Sequence, residues 1–282
     1  MPRTPRSTPK SAGTTVGLSR AEERDVGERS PPRAAVVFET IRREGQSELE
    51  RASFSLFASG LAAGLAMGMS LAGVGLIGVL LPAGAPWRPL VTSAGYTLGF
   101  LIVVLGRQQL FTENTLTAIL PLLDNPDKGL TVRRVAKLWG VVLFANLLGA
   151  AIFAYVAAHT PIFSDAVRAE FGRIGREAAA PGFGTIVLRG IMAGWLIALM
   201  VWLLPGADET RLFVILIITY VVGLGSFSHI IAGSVEVLYV VASGGMSWLQ
   251  YLGGYLLPVF IGNVVGGVSL VAVLNYAQVV AD

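Results

Sequence analysis

From residue 52 to residue 281 the chain is a succession of apolar stretches, several of them long enough to cross a bilayer. A spanning helix needs about 20 apolar residues, because the hydrocarbon core is about 30 Å thick. Residues 52–87 carry no charge. A second uncharged run, 89–106, is closed by Arg107 and resumes beyond a polar patch at 116–123. The third covers 138–164, with His159 near its end, and the fourth covers 191–207. The fifth, 212–235, is broken in its middle by Gly225-Ser226-Phe227-Ser228-His229. Residues 237–281 hold the tail of the fifth and a complete sixth, separated by Ser243-Gly244-Gly245. The pattern predicts an all-α membrane protein of six transmembrane helices, with helices two and five broken.

Short matches recur in the same order in the two halves. Ser59-Gly60-Leu61-Ala62-Ala63-Gly64 in span one answers Arg189-Gly190-Ile191-Met192-Ala193-Gly194 in span four. Asn146-Leu147-Leu148-Gly149-Ala150 in span three answers Asn263-Val264-Val265-Gly266-Gly267 in span six. The interrupted spans are the second of each half. Three spans per copy force the copies into opposite orientations, and inverted repeats with matched broken helices point to a permeation site near the midplane. Glycines at four-residue spacing, such as Gly60, Gly64 and Gly68, also serve close helix packing.

Composition agrees with this reading. The 282 residues are 54% hydrophobic and 14% charged, with no cysteine, so neither a disulfide framework nor thiolate chemistry is available. Ten of the 21 Lys and Arg lie in residues 1–51. With a cytoplasmic N-terminus the inner side receives 15 basic residues and the outer side four (Arg88, Arg168, Arg173, Arg176). That asymmetry predicts a multi-pass inner (plasma) membrane protein with both termini cytoplasmic. Residues 1–45, rich in Pro, Ser, Thr, Arg and Glu, are expected to form a disordered basic cytoplasmic tail, leaving 46–282 as the channel domain. An amphipathic lead-in helix over 36–51 would place Val36, Val37, Phe38 and Ile41 on one side. No apolar stretch near the start reads as a secretory signal.

Two segments carry the polar groups of the membrane interior. One is Arg107-Gln108-Gln109-Leu110-Phe111-Thr112-Glu113-Asn114-Thr115, the other Gly223-Leu224-Gly225-Ser226-Phe227-Ser228-His229. Backbone leaves helical geometry in a membrane only where protein or a watery cavity satisfies it. His229 stands in the middle of a span, where an ionisable group marks function by default; the plain alternative is a neutral ring tying helix five to a neighbour. His159 reads as interfacial. Asn146 and Asn263 serve as interhelical hydrogen-bond glue, and their matched positions also suit a pore wall. Arg107, Glu113 and Glu236 either pair inside the bundle or sit at a water boundary, with structural pairing favoured for Arg107.

Those residues carry a resemblance. Leu110-Phe111-Thr112, Gly225-Ser226-Phe227-Ser228-His229, Gly262-Asn263-Val264-Val265-Gly266-Gly267 and Asn146-Leu147-Leu148-Gly149, in six-span order, are similar to the formate/nitrite transporter family over about residues 45–280. The resemblance implies an aquaporin-like fold, a homopentamer in the lipid bilayer, and passage of small monovalent anions such as formate, nitrite, hydrosulfide, acetate or lactate, or of their neutral acids. It implies no cofactor, no metal and no nucleic acid. Thr112 would bond towards the central His229, and Asn263 would bond near it. Leu110, Phe111, Tyr96 and Phe100 would belong to the pathway, with Leu110, Tyr96 and Phe100 at one constriction and Val222 at the other. The chain departs from the family at four places. Gly194 stands for an Asn in helix four, Ala178 for a Lys in the preceding loop, Ser228 for a Glu before the central His, and Glu113 for a small residue after the Thr.

A bare anion is strongly disfavoured in an apolar slit, so His229 is expected to aid passage by giving a proton, directly or through water, that turns the anion into a small neutral acid. A channel for another small neutral solute is the alternative, although the Asn-Pro-Ala repeats of aquaporins are missing. An intramembrane enzyme would need a His-rich metal motif, paired carboxylates or a nucleophile with its base, and the sequence has no H-E-x-x-H or G-x-S-x-G motif.

Overall fold

The computed structural model describes residues 18–30, 32–125 and 127–281. Residues 1–17 of the expected tail lie outside the described residues. Helix α1 (Arg20–Arg29) belongs to a separate N-terminal unit and opens with a capping box: Glu22 N–H donates to Ser19 Oγ, and Ser19 N–H donates to the Glu22 carboxylate.

The membrane unit starts with α2 (Ala34–Glu50), so the limit expected at residue 45 falls inside a helix. Val37, Phe38, Ile41, Gly45 and Leu49 are its buried stripe, recurring every three or four residues and packing against the fragments of broken span two. Val36, expected on that stripe, faces outward. Gly45 lies directly on the Thr117 carbonyl, where a Cβ would come within 1.9 Å.

Helix α3 (Ser53–Gly78) is the first crossing. It ends well before residue 87, because the loop that follows holds Pro82, Gly84 and Pro86. Span two is α4 (Arg88–Leu105), a break, and then two short helices, α5 (Phe111–Thr117) and α6 (Ile119–Asp124). Helix α7 (Lys128–His159) begins ten residues before the apolar run. Asp127 caps it, and Lys128–Lys137 extends the helix beyond the apolar segment. Next comes α8 (Asp165–Ala179), an amphipathic helix outside the spans whose Val167 and Phe171 are buried. Helix α9 (Phe183–Leu203) is the fourth crossing, closed by a 3-10 turn at Leu204–Gly206. Span five consists of α10 (Arg211–Leu224) and α11 (Ile230–Ala242), each too short to cross alone. The sixth crossing, Gln250–Val280, has α12 (Leu257–Val264) between π-helical stretches Gln250–Leu256 and Val265–Val273, and ends in α13 (Leu274–Ala281).

The repeat is visible in the packing. On the pair α3/α7, a Cβ on Gly64 would meet the Asn146 backbone at 2.1 Å, and one on Gly149 would meet Leu61 O at 2.6 Å. On the pair formed by α9 and the sixth crossing, Gly194 faces the Asn263 backbone (2.3 Å) and Gly266 faces Ile191 O (2.2 Å). The same small residues bring the same backbones together in each half, as close packing between membrane helices requires. Phe54, Leu188, Phe213, Ile217 and Leu249 are among the large apolar side chains on the outside of the bundle.

Candidate functional site

The two breaks are built alike. Span two stops with Gln108 N–H donating to Val103 O (2.9 Å) and Arg107 N–H to Val104 O (3.2 Å). Span five stops with Phe227 N–H donating to Val222 O (3.0 Å) and Ser226 N–H to Gly223 O (3.1 Å). This paired helix ending puts one residue in the left-handed region, normally glycine. Here the residues are Arg107 (φ 51°) and Ser226 (φ 49°), so both carry backbone strain. Leu110 and His229 then turn extended and start α5 and α11.

One asparagine braces each break. Asn146 Oδ1 accepts from Phe111 N–H (2.9 Å), while its amide donates to Gln109 O and Gly60 O (both 2.8 Å). Asn263 Oδ1 accepts from Ile230 N–H (2.9 Å), while its amide donates to Ser228 O (2.8 Å) and Gly190 O (2.9 Å). Both are fully buried. Each satisfies backbone groups that the break would otherwise leave unpaired inside the bundle.

Thr112 and His229 meet between these half-helices, with Oγ1 and Nε2 2.7 Å apart. His229 Nδ1 accepts from Ile231 N–H (3.3 Å) and Ala232 N–H (3.1 Å), so the ring caps its own helix. An amide can only donate. Nδ1 therefore carries the lone pair, and in the neutral ring Nε2–H donates to the threonine oxygen. The Phe100 ring stands edge-on to the imidazole at 4.9 Å, and Tyr96 packs on Phe100 at 5.4 Å. Phe100, Val222 and Leu110, the residue that starts α5, are fully buried, and Val222 lines a cavity together with His229.

A cavity of about 770 Å³ opens on the side of α8 and is lined by Tyr96, Val222, Ser228, His229 and Glu236 among others. Tyr96 and Val222, expected at opposite constrictions, share this one cavity. Ala178 lines its wall. A charged network stands at its mouth: Arg88 donates to Glu170 (2.6 Å), and Arg173 donates to Glu170 (2.6 and 3.0 Å) and Glu177 (2.6 Å). The bonds from Arg173, and then those from Arg88, hold the Glu170 carboxyl below the usual carboxylate range. A second cavity of about 350 Å³ lies against α2 and is lined by Glu44, Arg107, Gln108, Glu113 and Arg211 among others.

The sequence-derived residues therefore separate into groups. Thr112, His229, Phe100, Tyr96, Leu110 and Val222 converge, and Asn146 and Asn263 stand behind them as braces. Phe111 is stacked on Phe260 and edge-on to Trp139 (both 5.6 Å), contacts that hold α5 in place. Gly194 is a packing contact, because even a methyl there would strike Asn263, and the asparagine expected at that place cannot be accommodated. Arg107 is exposed and pairs with Glu44 (3.0 Å), while Glu113 and Glu236 line opposite cavities; the three do not pair together. The network around Glu170 was missed. Its signal was present in Ser164 as an N-cap followed by apolar residues at helical spacing in Val167, Phe171 and Ile174.

A family profile described as formate/nitrite transporter matches residues 35–277. The chain belongs to the formate/nitrite transporter family. Inner membrane protein YfdC of Escherichia coli (strain K12) is 41% identical over 255 residues, covering 90% of this chain and 82% of that protein. The formate channel BtFdhC of Bacillus thuringiensis is 26% identical, over 68% of this chain and 74% of its own length. Among solved structures, a pentameric formate channel with formate bound aligns with TM-score 0.69 at 20% identity, covering 82% of this chain and 98% of that one. An FNT family ion channel aligns with TM-score 0.75 at 16% identity, covering 86% and 98%. The chain is thus a multi-pass membrane channel or transporter of this family, and not an enzyme.

Proposed function

We propose that the protein is a channel for small monovalent weak-acid anions, of the formate, nitrite, acetate or hydrosulfide class, which cross its centre as neutral acids. The observation that carries this reading is the Thr112–His229 hydrogen bond at the meeting point of the two breaks. The α11 amides at this point are already taken by Asn263 and by the His229 ring. Little is left there to solvate a bare anion among Phe100, Leu110 and Val222, and the penalty for such an ion is severe. A neutral acid needs much less. With Nε2–H donated to Thr112, the threonine hydroxyl has its own proton free for a substrate oxygen. The imidazole works through that hydroxyl as a hydrogen-bond donor. It is not the proton source, because losing Nε2–H from the neutral ring would leave an imidazolate.

The charge balance of 15 against four supports cytoplasmic termini, and the likeness to a pentameric formate channel supports a homopentamer. The test is purified protein in liposomes loaded with a pH-sensitive dye and offered formate, nitrite, acetate and hydrosulfide in turn. Rapid internal acidification is expected with at least one of them. No flux with any, from protein shown to be folded, would refute the reading. Thr112→Val should lower the rate about tenfold, the equivalent of one lost hydrogen bond near 1.4 kcal/mol, and Thr112→Ser should restore it.

A further inference from the structure

Two carboxylates not used by the central pair line the cavities on either side of it. Glu236 lies seven residues beyond His229 on α11, about 10 Å along the helix. His229, Gly233 and Glu236 follow at spacings of four and three residues and line the α8-side cavity together. Tyr96 and Tyr255 line it too, and the Tyr255 hydroxyl sits over Gly233, where a Cβ would come within 1.7 Å. Glu113 follows Thr112 directly and lines the α2-side cavity. Its Oε1 is buried without a hydrogen-bond partner, as are Gln108 Oε1 and Arg211 Nε on the same cavity. Neither glutamate joins an ion pair among the described residues.

A carboxylate beside an anion path repels what should pass. The same group carrying a proton is a donor instead. We propose that Glu236 and Glu113 are proton-exchange sites, one on each side of the Thr112–His229 pair, which load a proton onto the acid anion at entry and remove it at exit. On the entry side Glu-COOH and RCOO⁻ become Glu-COO⁻ and RCOOH. One O–H bond breaks at the glutamate and one forms at the substrate, and water in that cavity reprotonates the glutamate. On the far side RCOOH gives its proton to the carboxylate there, which releases it to water. This assignment rests on the weak-acid reading and supplies the proton that a neutral His229 cannot give.

The charged groups that share this cavity with Glu236 are Arg88 on α4, Glu170, Arg173 and Glu177 on α8, and Arg189 on α9. Arg88, Glu170, Arg173 and Glu177 are tied to one another at the mouth. Helices α3 and α7, which also pack on α11, bring no titratable side chain to this cavity. Around Glu113 are Glu44 and Glu48 of α2, Arg107, Asp208 and Arg211, with Arg107 engaged by Glu44.

The experiment measures formate-driven acidification of proteoliposomes from pH 5 to pH 7.5, using wild type, Glu236→Gln, Glu113→Gln and the two Asp variants. A channel without its proton-exchange site must draw protons directly from water. Its rate should then fall about tenfold per pH unit, against a shallower fall for wild type, and the Asp variants should restore the shallow profile. Gln profiles parallel to wild type, at whatever absolute rate, overturn the assignment while leaving the channel reading intact. Absence of flux in wild type refutes the channel reading itself. If a Gln variant does not assemble, the infrared difference spectrum of wild-type protein with and without formate replaces it: a changed carboxyl C=O band is expected, and an unchanged carboxyl region overturns the assignment.

Discussion

Asn146 and Asn263 each satisfy one amide and one carbonyl at a break, where the backbone cannot satisfy itself, and tie that break to a carbonyl of the neighbouring helix. Replacing either by alanine strands the amide and the carbonyl at its break, each at about 1–3 kcal/mol before relaxation, while Gly60 O and Gly190 O keep the backbone bonds of their own helices. Asn263→Ala should therefore lower the midpoint of thermal unfolding in detergent and abolish flux. Asn146→Ala should act in the same direction, since it supports the matching break. Gly194→Asn should be at least as damaging, because its Cβ alone would come 2.3 Å from the Asn263 carbonyl; the expected readout is loss of the assembled peak in size-exclusion chromatography. A stable, assembled Gly194→Asn protein would contradict the close α9 contact. These positions show how far residue patterns were readable. Paired Gly and Asn in both halves marked the repeat, but a sequence string cannot say which face of a half-helix looks at the path. Phe111 reads as a pathway residue in the sequence, and its ring packs on Phe260 and Trp139. Gly194 was readable from the repeat as the counterpart of Gly64, and the two make the same close contact, on Asn263 and on Asn146.

At the scale of elements, the spans and breaks were legible because lipid imposes long uncharged runs, and polar or strained backbone inside them is conspicuous. Helix ends were less legible. Helix α7 extends ten residues beyond its apolar run, because Asp127 can cap it and its basic first turns need no lipid. Helix α8 was unreadable by hydropathy, being half polar, although its cap and periodicity were there. Its Glu170 carboxyl, held low by Arg173 of the same helix and by Arg88, ties α8 to α4 through Arg88. A depressed carboxylate contributes fully above its ordinary value of 4.5 and loses that contribution as pH falls through the lowered value. The protection of α8 amides, taken relative to the intrinsic exchange rate at each pH, should thus be high at neutral pH and fall only in acid. In Glu170→Gln that protection should be lower already at neutral pH, with little further change on acidification. Equal protection in both proteins at pH 7 would show that the network does not hold α8.

At the scale of the whole molecule, the half-helices of spans two and five meet at one hydrogen bond, with a cavity on each side. The matching contacts of Asn146 and Asn263, the strained Arg107 and Ser226, and the crossings Gly64/Asn146 and Gly194/Asn263 make the two halves structural copies. The chemistry of the centre is not symmetric. The chain position that holds Leu110 in one half holds His229 in the other, and each residue begins its half-helix. A centre with one imidazole and one threonine hydroxyl against the apolar Phe100 suits a solute that is uncharged while it passes that point. The most direct test follows radiolabelled formate and internal pH together in liposomes holding wild type or His229→Phe. Entry of one proton with each formate in wild type, and loss of both in His229→Phe, is the expected result. Formate entering without protons, or crossing His229→Phe at the wild-type rate, would contradict passage as a neutral acid past the Thr112–His229 pair.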